Sequence, residues 1–388
     1  MGRLYLASSR AKAWRSSVSA FQTPVFRPAL PMAEALLPYL RTIDENRWYT
    51  NHGPLLQRFE RRLEQIFGTH VVTSANGTLA LMQVLSHFEI PVGKACLVPS
   101  WTFVASAAAI RAVGLEPRFV DVSEETWSLP VNELRARLPL RDVGAIMVIS
   151  PFGAPIDLEG WSDFMRETGI PVVIDAAASF DAMSKCGPLD RVACPIMVSL
   201  HATKTFGIGE GAVVLTSRES DAASVRQRGN FGFVKAREAE VNGINAKLSE
   251  YSAAVGLASL DEWPARREQW AALTADFAAR AIAVEGLSLM PGFGDGWVSS
   301  YGNVLLPASS SIEAVSECLA QAGTETRRWW GTGCHTQAAY AACVHDPLPH
   351  TEALAARVLG LPFWLGLTPA QLDAVFAVLR DALAVGSR

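Results

Sequence analysis

From about residue 70 onward this chain repeats one pattern, a short run of apolar, β-favouring residues followed by a helix-length segment. The β-rich runs are Ala95–Val98, Arg118–Val122, Ala145–Ile149, Val172–Asp175, Ile196–Leu200 and Ala212–Thr216. Between the earlier ones lie Leu79–Phe88, Val104–Val113, Val131–Leu138 and Leu158–Glu167. The runs do not alternate apolar with polar side chains, so neither face of their strands suits water. That pattern predicts an α/β fold, a mostly parallel sheet covered by helices on both faces. The last two runs have too little chain between them for a crossover helix, which predicts an antiparallel pair at a sheet edge.

The remainder reads differently. Lys247–Ile282 is mainly helical, with an expected break at Pro264. Near Pro291 the pattern changes again, with strand candidates Asn303–Leu306 and Thr324–Arg328 and helix candidates Ile312–Ala322 and Pro369–Leu383. A chain of 388 residues exceeds what one core usually serves. The expected division is a large domain over 23–285 and a smaller α+β domain over 286–388. Residues 1–22 carry Arg3, Arg10, Lys12 and Arg15, several serines and no acid. This overlaps with a transit peptide, but the reading adopted is a disordered extension or an early start.

Composition excludes several classes. Hydrophobic residues are 49% and charged residues 19%, enough to build a large core and too apolar for a disordered chain. The net charge of -4 argues against a nucleic-acid partner, which calls for a basic patch. No apolar run reaches the roughly 18 residues of a membrane span. The six cysteines, Cys96, Cys186, Cys194, Cys318, Cys334 and Cys343, lack the close spacing of a zinc site, so no metal is expected. Most sit in apolar surroundings, which fits a reducing, cytoplasmic setting.

Two strand candidates end in residues suited to chemistry. Val172–Ile174 runs into Asp175, and Pro195–Leu200 is followed by Lys204 and then the turn Gly207-Ile208-Gly209-Glu210-Gly211. In an open α/β sheet, strand ends line the ligand crevice. A lysine amine condenses with an aldehyde, and an aspartate holds a pyridinium N–H. Together they are the minimum protein chemistry that pyridoxal 5'-phosphate (PLP) requires. Asp175 is also a good N-cap for Ala176-Ala177-Ala178, and the two roles are compatible. Asn76-Gly77-Thr78 opens a helix rather than a hairpin, and backbone N–H groups there suit a phosphate. Ser199 can add a hydroxyl. Phe103 has the shape to stack on a flat ring, or simply to fill a core. The glycine turn is no dinucleotide fingerprint, because its third glycine comes too early. Trp329-Trp330, beside glycines and His335, suit either an aromatic ligand wall or packing between domains.

Taken in order, these residues resemble the DegT/DnrJ/EryC1/StrS family of fold-type-I PLP enzymes, mainly nucleotide-sugar aminotransferases. The landmarks are Gly53-Pro54 before Phe59-Glu60, Asn76-Gly77-Thr78, Pro99-Ser100-Trp101-Thr102-Phe103, Asp175-Ala176-Ala177, Ser199 to Lys204, Gly209-Glu210-Gly211, Gly243 to Glu250, and His335 with Gln337 and Tyr340. The resemblance runs from Thr23 to Leu383. It implies that Lys204 carries the Schiff base and moves a proton, and that Asp175 pairs with the pyridine nitrogen. Gly77, Thr78 and Ser199 then hold the phosphate, Phe103 stacks on the ring, and Asn245 reaches the cofactor of a neighbouring subunit in a homodimer. His335 matches a sugar-contacting position.

The family often has Gln or His after Asp-Ala-Ala, near the PLP phenolic oxygen. This chain has Ala178 and then Ser179, so either Ser179 or a water substitutes, or the site is tuned differently. The implied reaction moves an amino group from L-glutamate to a nucleotide-linked keto-sugar. Arg327 to His335 resemble the 4-aminotransferases of dTDP-4-keto-6-deoxy-D-glucose. GDP- or UDP-linked sugars, 3-keto isomers, cyclitols and small oxo compounds stay open, as does a non-catalytic regulator. Arg228, with Lys235 and Arg237, is a candidate for the sugar diphosphate, against the plainer reading of a solvated basic face.

Overall fold

The computed structural model describes residues 21–386, so residues 1–20 of the expected extension lie outside it. Helices α1 (Ala33–Asn46) and α2 (Pro54–Phe67) lead into strand β1 (His70–Ser74). There follow α3 (Gly77–His87), β2 (Ala95–Pro99), α4 (Val104–Ala112), β3 (Glu116–Val120), α5 (Val131–Ala136), β4 (Val143–Ile149), α6 (Leu158–Thr168) and β5 (Val172–Asp175). Then come α7 (Phe180–Lys185), β6 (Ile196–Ser199), β7 (Ala212–Thr216), α8 (Glu219–Arg228) and α9 (Glu250–Ile282). The chain ends with β8 (Ser288–Leu289), β9 (Gly302–Leu305), α10 (Ile312–Gln321), α11 (Pro349–Arg357), β10 (Val358–Leu361) and α12 (Pro369–Gly386).

The main sheet has seven strands in the order β1-β7-β6-β5-β4-β2-β3. Only β7 runs against the others, pairing antiparallel with both β1 and β6. The antiparallel pair is therefore present, but β7 is not the edge. β1, a strand absent from the sequence reading, covers it. The sheet buries a side-chain layer on each face. One holds Phe59, Phe67, Phe164 and Phe180, the other Val72, Ile110, Met147 and Val173. That double burial is why its strands read as unbroken apolar runs. The second sheet is antiparallel, in the order β10-β9-β8. The expected division at 285 and 286 falls between α9 and β8, yet one continuous core includes Phe180 and Trp263 as well as Phe363 and Phe376.

Two expectations fail here. Helix α9 continues through Pro264. Proline there removes the N–H that would bond the Leu260 carbonyl, at a cost of about 3 kcal/mol. Burial of Leu257, Leu260 and Trp263 on one side of it and Trp270, Leu273 and Phe277 on the other outweighs that cost. Thr324–Arg328 forms only isolated bridges, Thr324 with Thr23 and Arg327 with Gly360 of β10, so it runs beside β10 without pairing along it as a strand.

Glu250 shows how distant landmarks meet. Its buried carboxylate accepts the N–H groups of Leu55 at 2.9 Å and Leu56 at 2.8 Å, capping α2, whose own N-cap Gly53 supplies no side chain. A Cβ on Gly53 would stand 2.6 Å from the Glu250 carboxyl carbon, so glycine is required there. Glu250→Ala leaves two buried donors unmet and is expected to destabilise the fold by about 2–4 kcal/mol, read as a lower urea midpoint.

Candidate active site

Asp175 closes β5 and Lys204 lies in the connection from β6 to β7, so neighbouring strands deliver both to the carboxyl end of the sheet. That connection is a tight turn. The Ala202 N–H donates to the Gly209 carbonyl at 2.7 Å and the Ile208 N–H to that of Leu200 at 2.8 Å. Gly209 has φ +100°, a conformation that favours glycine. The glycine run thus aims Lys204, as expected from its composition.

The Asp175 side chain is buried. It accepts the Ser106 hydroxyl at 2.7 Å and the Ala177 N–H at 3.2 Å. Burial pushes its pKa up; Ser106, Ala177 and the positive charge of Lys204 pull it back. The carboxylate is therefore short of compensation and suited to a cationic N–H partner. Lys204 Nζ donates to the Tyr301 hydroxyl at 2.9 Å. Tyr301 precedes β9, so a residue of the second sheet region holds the lysine. Its ring packs edge-on against Trp329 at 5.0 Å and Phe152 at 5.4 Å. Neither Tyr301 nor Ser106 was legible as a site residue. Ser106 sits just past the Pro99 to Phe103 landmark, but Tyr301 has no local signal.

The first turn of α3 lies beside this pair. Asn76 caps it, accepting the Leu79 N–H at 2.9 Å. A Cβ on Gly77 would meet Met197 Sδ at 3.3 Å and Ser199 Cβ at 3.7 Å, so Gly77 and Ser199 share one cradle. The fully buried Ser74 hydroxyl, three residues before the helix, has no partner among the described residues. Helix N–H groups, an adjacent serine and an orphaned hydroxyl fit a phosphate. Together with the undercompensated Asp175 and the lysine amine, these residues fit PLP. Thr78 lies in the same first turn, and Phe103, at the N-cap of α4, is 58% exposed, available to a ring rather than buried in the core.

Other expected residues are placed differently. Ser179 is buried and donates to Ser150 Oγ, because the Ser150 hydrogen goes to the Ala154 carbonyl. With its hydrogen committed, Ser179 has none to offer a phenolic oxygen. Arg228 pairs with Glu89 at 2.7 Å, beyond the C-terminal end of α3. Its guanidinium is thus turned towards the C-terminal end of α3, away from Gly77 at the other end. Trp330 stacks on Phe152 at 3.9 Å, so packing describes it better than a ligand wall does. Trp329 supports Tyr301 rather than presenting a free face to the crevice. Asn245 is exposed in the loop between α8 and α9, where it bridges to Asn230.

His335 lies on the β2 side. Its Nδ1 is 2.6 Å from Ser100 Oγ. Burial, with His345 nearby, pushes its pKa down, against the pull of Glu352 and Asp121, which favours the neutral ring. Of the cysteines, Cys96, Cys194, Cys334 and Cys343 are buried, whereas Cys186 and Cys318 are exposed. No group of three or more metal-ligating side chains occurs among the described residues, and none of their helices is long and apolar enough to cross a membrane.

Fold and site together define a fold-type-I, PLP-dependent aminotransferase class. The profile of the DegT/DnrJ/EryC1/StrS aminotransferase family matches residues 31–380, and this chain belongs to that family. A solved PLP-dependent aminotransferase from Bacillus cereus superposes with a TM-score of 0.86 at 30% identity, over 92% of this chain and 99% of that one. The structure of DesI with its TDP-sugar product gives 0.84 at 30% identity, over 95% of each. Protein Rv3402c of Mycobacterium tuberculosis is 37% identical over 247 residues, 61% of this chain. The match spans 60% of the length of Rv3402c.

Proposed function

We propose that this chain moves an amino group from L-glutamate to a nucleotide-linked keto-sugar, with dTDP-4-keto-6-deoxy-D-glucose as acceptor and dTDP-4-amino-4,6-dideoxy-D-glucose as product. The observation that carries the reading is the convergence of Lys204, Asp175 and the α3 N-terminus at the carboxyl end of the sheet. The acceptor rests on similarity. A Shigella dysenteriae relative, 30% identical, is a dTDP-4-amino-4,6-dideoxy-D-glucose transaminase, and DesI was solved with a TDP-sugar. A GDP-perosamine synthase of Escherichia coli at 28% identity keeps a GDP-linked acceptor as the second choice.

When bound, PLP supplies the electron sink that makes the α-carbon proton of the donor acidic. The protein does the rest. Gly77, Thr78 and Ser199 anchor the phosphate, and Phe103 covers a ring face. Asp175 keeps a proton on the pyridine nitrogen. Lys204 Nζ would take up and return the proton at the donor carbon, and Tyr301 would hold that amine in place. Asn245 would reach the phosphate of the cofactor held by the neighbouring subunit in a cytoplasmic homodimer, and His335 would meet the sugar.

The test is a visible absorption spectrum of protein supplied with PLP. A yellow band that L-glutamate bleaches and the dTDP-keto-sugar restores is the expected result. Bleaching without restoration rejects this sugar and keeps the aminotransferase. No band after added PLP rejects the reading and leaves a binding module in its place.

A further inference from the structure

The chain ahead of α1 lines one side of a cavity at Lys204. Residues 23–29 belong to no helix or strand, yet they are held at both ends. The Thr23 N–H donates to the Gly323 carbonyl at 3.1 Å, and the Thr23 carbonyl accepts the Glu325 N–H at 2.9 Å. The Val25 N–H donates to Glu325 Oε2 at 3.0 Å, and Trp364 Nε1–H to the Pro24 carbonyl at 2.9 Å. At the far end Arg266 donates to the Ala29 carbonyl at 2.6 Å. Between these clamps Phe26 packs edge-on against Trp329 at 6.4 Å, and Trp329 is the ring that supports Tyr301 beside Lys204. Pro28 confines the backbone of Arg27 to extended conformations.

Phe26, Arg27 and Pro28 share this small cavity with Lys204, Thr205 and Trp270; it measures about 270 Å³ with its open mouth included. Thr205 and Trp270 are 4% and 5% exposed, and Thr205 Oγ1 and Trp270 Nε1 are both buried without a partner among the described residues. Arg27 is exposed and forms no ion pair among the described residues. Its guanidinium carbon lies 5.5 Å from the centroid of the Trp364 ring, a contact that holds the cation without neutralising it. No acidic side chain lines the cavity among the described residues. An indole N–H and a guanidinium only donate, and a threonine hydroxyl donates or accepts. The group that satisfies this wall is therefore an acceptor, and the uncompensated Arg27 favours an anionic one.

We propose that Arg27 receives a carboxylate of the amino donor, with Thr205 and Trp270 supplying the buried hydrogen bonds behind it. That the donor is an amino acid rests on the proposed function. Such a donor brings its α-carbon to Lys204 Nζ, and its α-carboxylate lies a single bond further. The diphosphate of a nucleotide-linked 4-keto-sugar is separated from the reacting carbon by the sugar ring, and a whole nucleotide needs more room than this cavity offers. Arg27 thus sets the affinity for the donor and leaves that for the acceptor alone.

The experiment is a rapid-mixing spectral titration of PLP-loaded protein with L-glutamate, which separates the half-saturating concentration from the limiting rate of bleaching. Arg27→Gln is expected to raise that concentration on the order of 10- to 100-fold, while the yellow band before mixing keeps its wild-type position. Arg27→Lys keeps the charge but loses the paired N–H geometry, and should fall between the two. Thr205→Val should raise the concentration by about three- to tenfold. Glutarate, which has the carboxylates but no amine, should bind the wild type more tightly than Arg27→Gln in calorimetry. Whichever of dTDP-, UDP- or GDP-glucose binds best should bind both proteins equally. An unchanged half-saturating glutamate concentration in Arg27→Gln overturns the proposal. So does weaker nucleotide-sugar binding in that variant, which would assign the arginine to the diphosphate or show that the segment has shifted. Failure of the proposed function shows separately, as a wild-type band that glutamate does not bleach; glutarate calorimetry then still decides the role of Arg27.

Discussion

Replacing Lys204 by alanine is expected to lower turnover by on the order of 10⁴-fold or more, because the substitution removes both the group that engages the cofactor and the group that carries the proton. Stability should change by no more than about 1 kcal/mol. Lys204 is half-buried, and its amine donates one hydrogen bond, to Tyr301. Multiple-turnover assays beside thermal melts check both halves. An unchanged rate would remove the assignment, and a collapsed fold would show that Lys204 is structural.

Asp175→Asn carries the second large effect, in two directions. The amide oxygen still accepts from Ser106, the shorter of the two bonds, while the amide NH2 takes the place of the oxygen that met the Ala177 N–H, and the charge is gone. Without a carboxylate to keep the pyridine nitrogen protonated, the rate with PLP should fall by about 10²–10³-fold. Stability without PLP should move the other way. Burial raises the folded pKa of Asp175 above its ordinary 3.8, so the folded state binds that proton more tightly than the unfolded chain. Ionisation then costs stability, starting above the unfolded pKa and reaching its full size above the folded one. Asparagine removes the cost. Cofactor-free Asp175→Asn should be at least as stable as wild type at neutral pH, and the advantage should shrink as pH falls towards 3.8. Urea midpoints across that range decide it. A variant less stable at neutral pH would mean that Ser106 and Ala177 already compensate the charge in full.

These two residues were legible because each sits where a local pattern ends. An apolar run that stops at Asp175, and another that gives way to Lys204 and a glycine turn, place both at strand ends whatever packs around them. Gly77 and Ser199 were legible for the same reason. Tyr301 was not. It lies 97 positions from Lys204, and nothing in its neighbours distinguishes it from a core tyrosine. Ser179 and Arg228 misled for the converse reason. Both have suitable chemistry, but Ser150 takes the Ser179 hydroxyl hydrogen and Glu89 draws one terminal nitrogen of the Arg228 guanidinium, each from a remote segment.

By itself the sequence determined the class of fold, the strand that ends at Asp175, the turn that presents Lys204 and the helix start at Gly77. Each follows from hydrophobic period, caps and glycine freedom, which act within a few residues of chain. Only the tertiary structure decided that β1 would cover β7, that Pro264 would stay inside a helix, that Glu250 would cap α2 from 195 positions away and that Ser100 would meet the His335 ring. Those outcomes depend on which buried polar group finds which partner once the layers close. The unmet cost of a buried donor or acceptor arises only then, between residues the sequence keeps far apart.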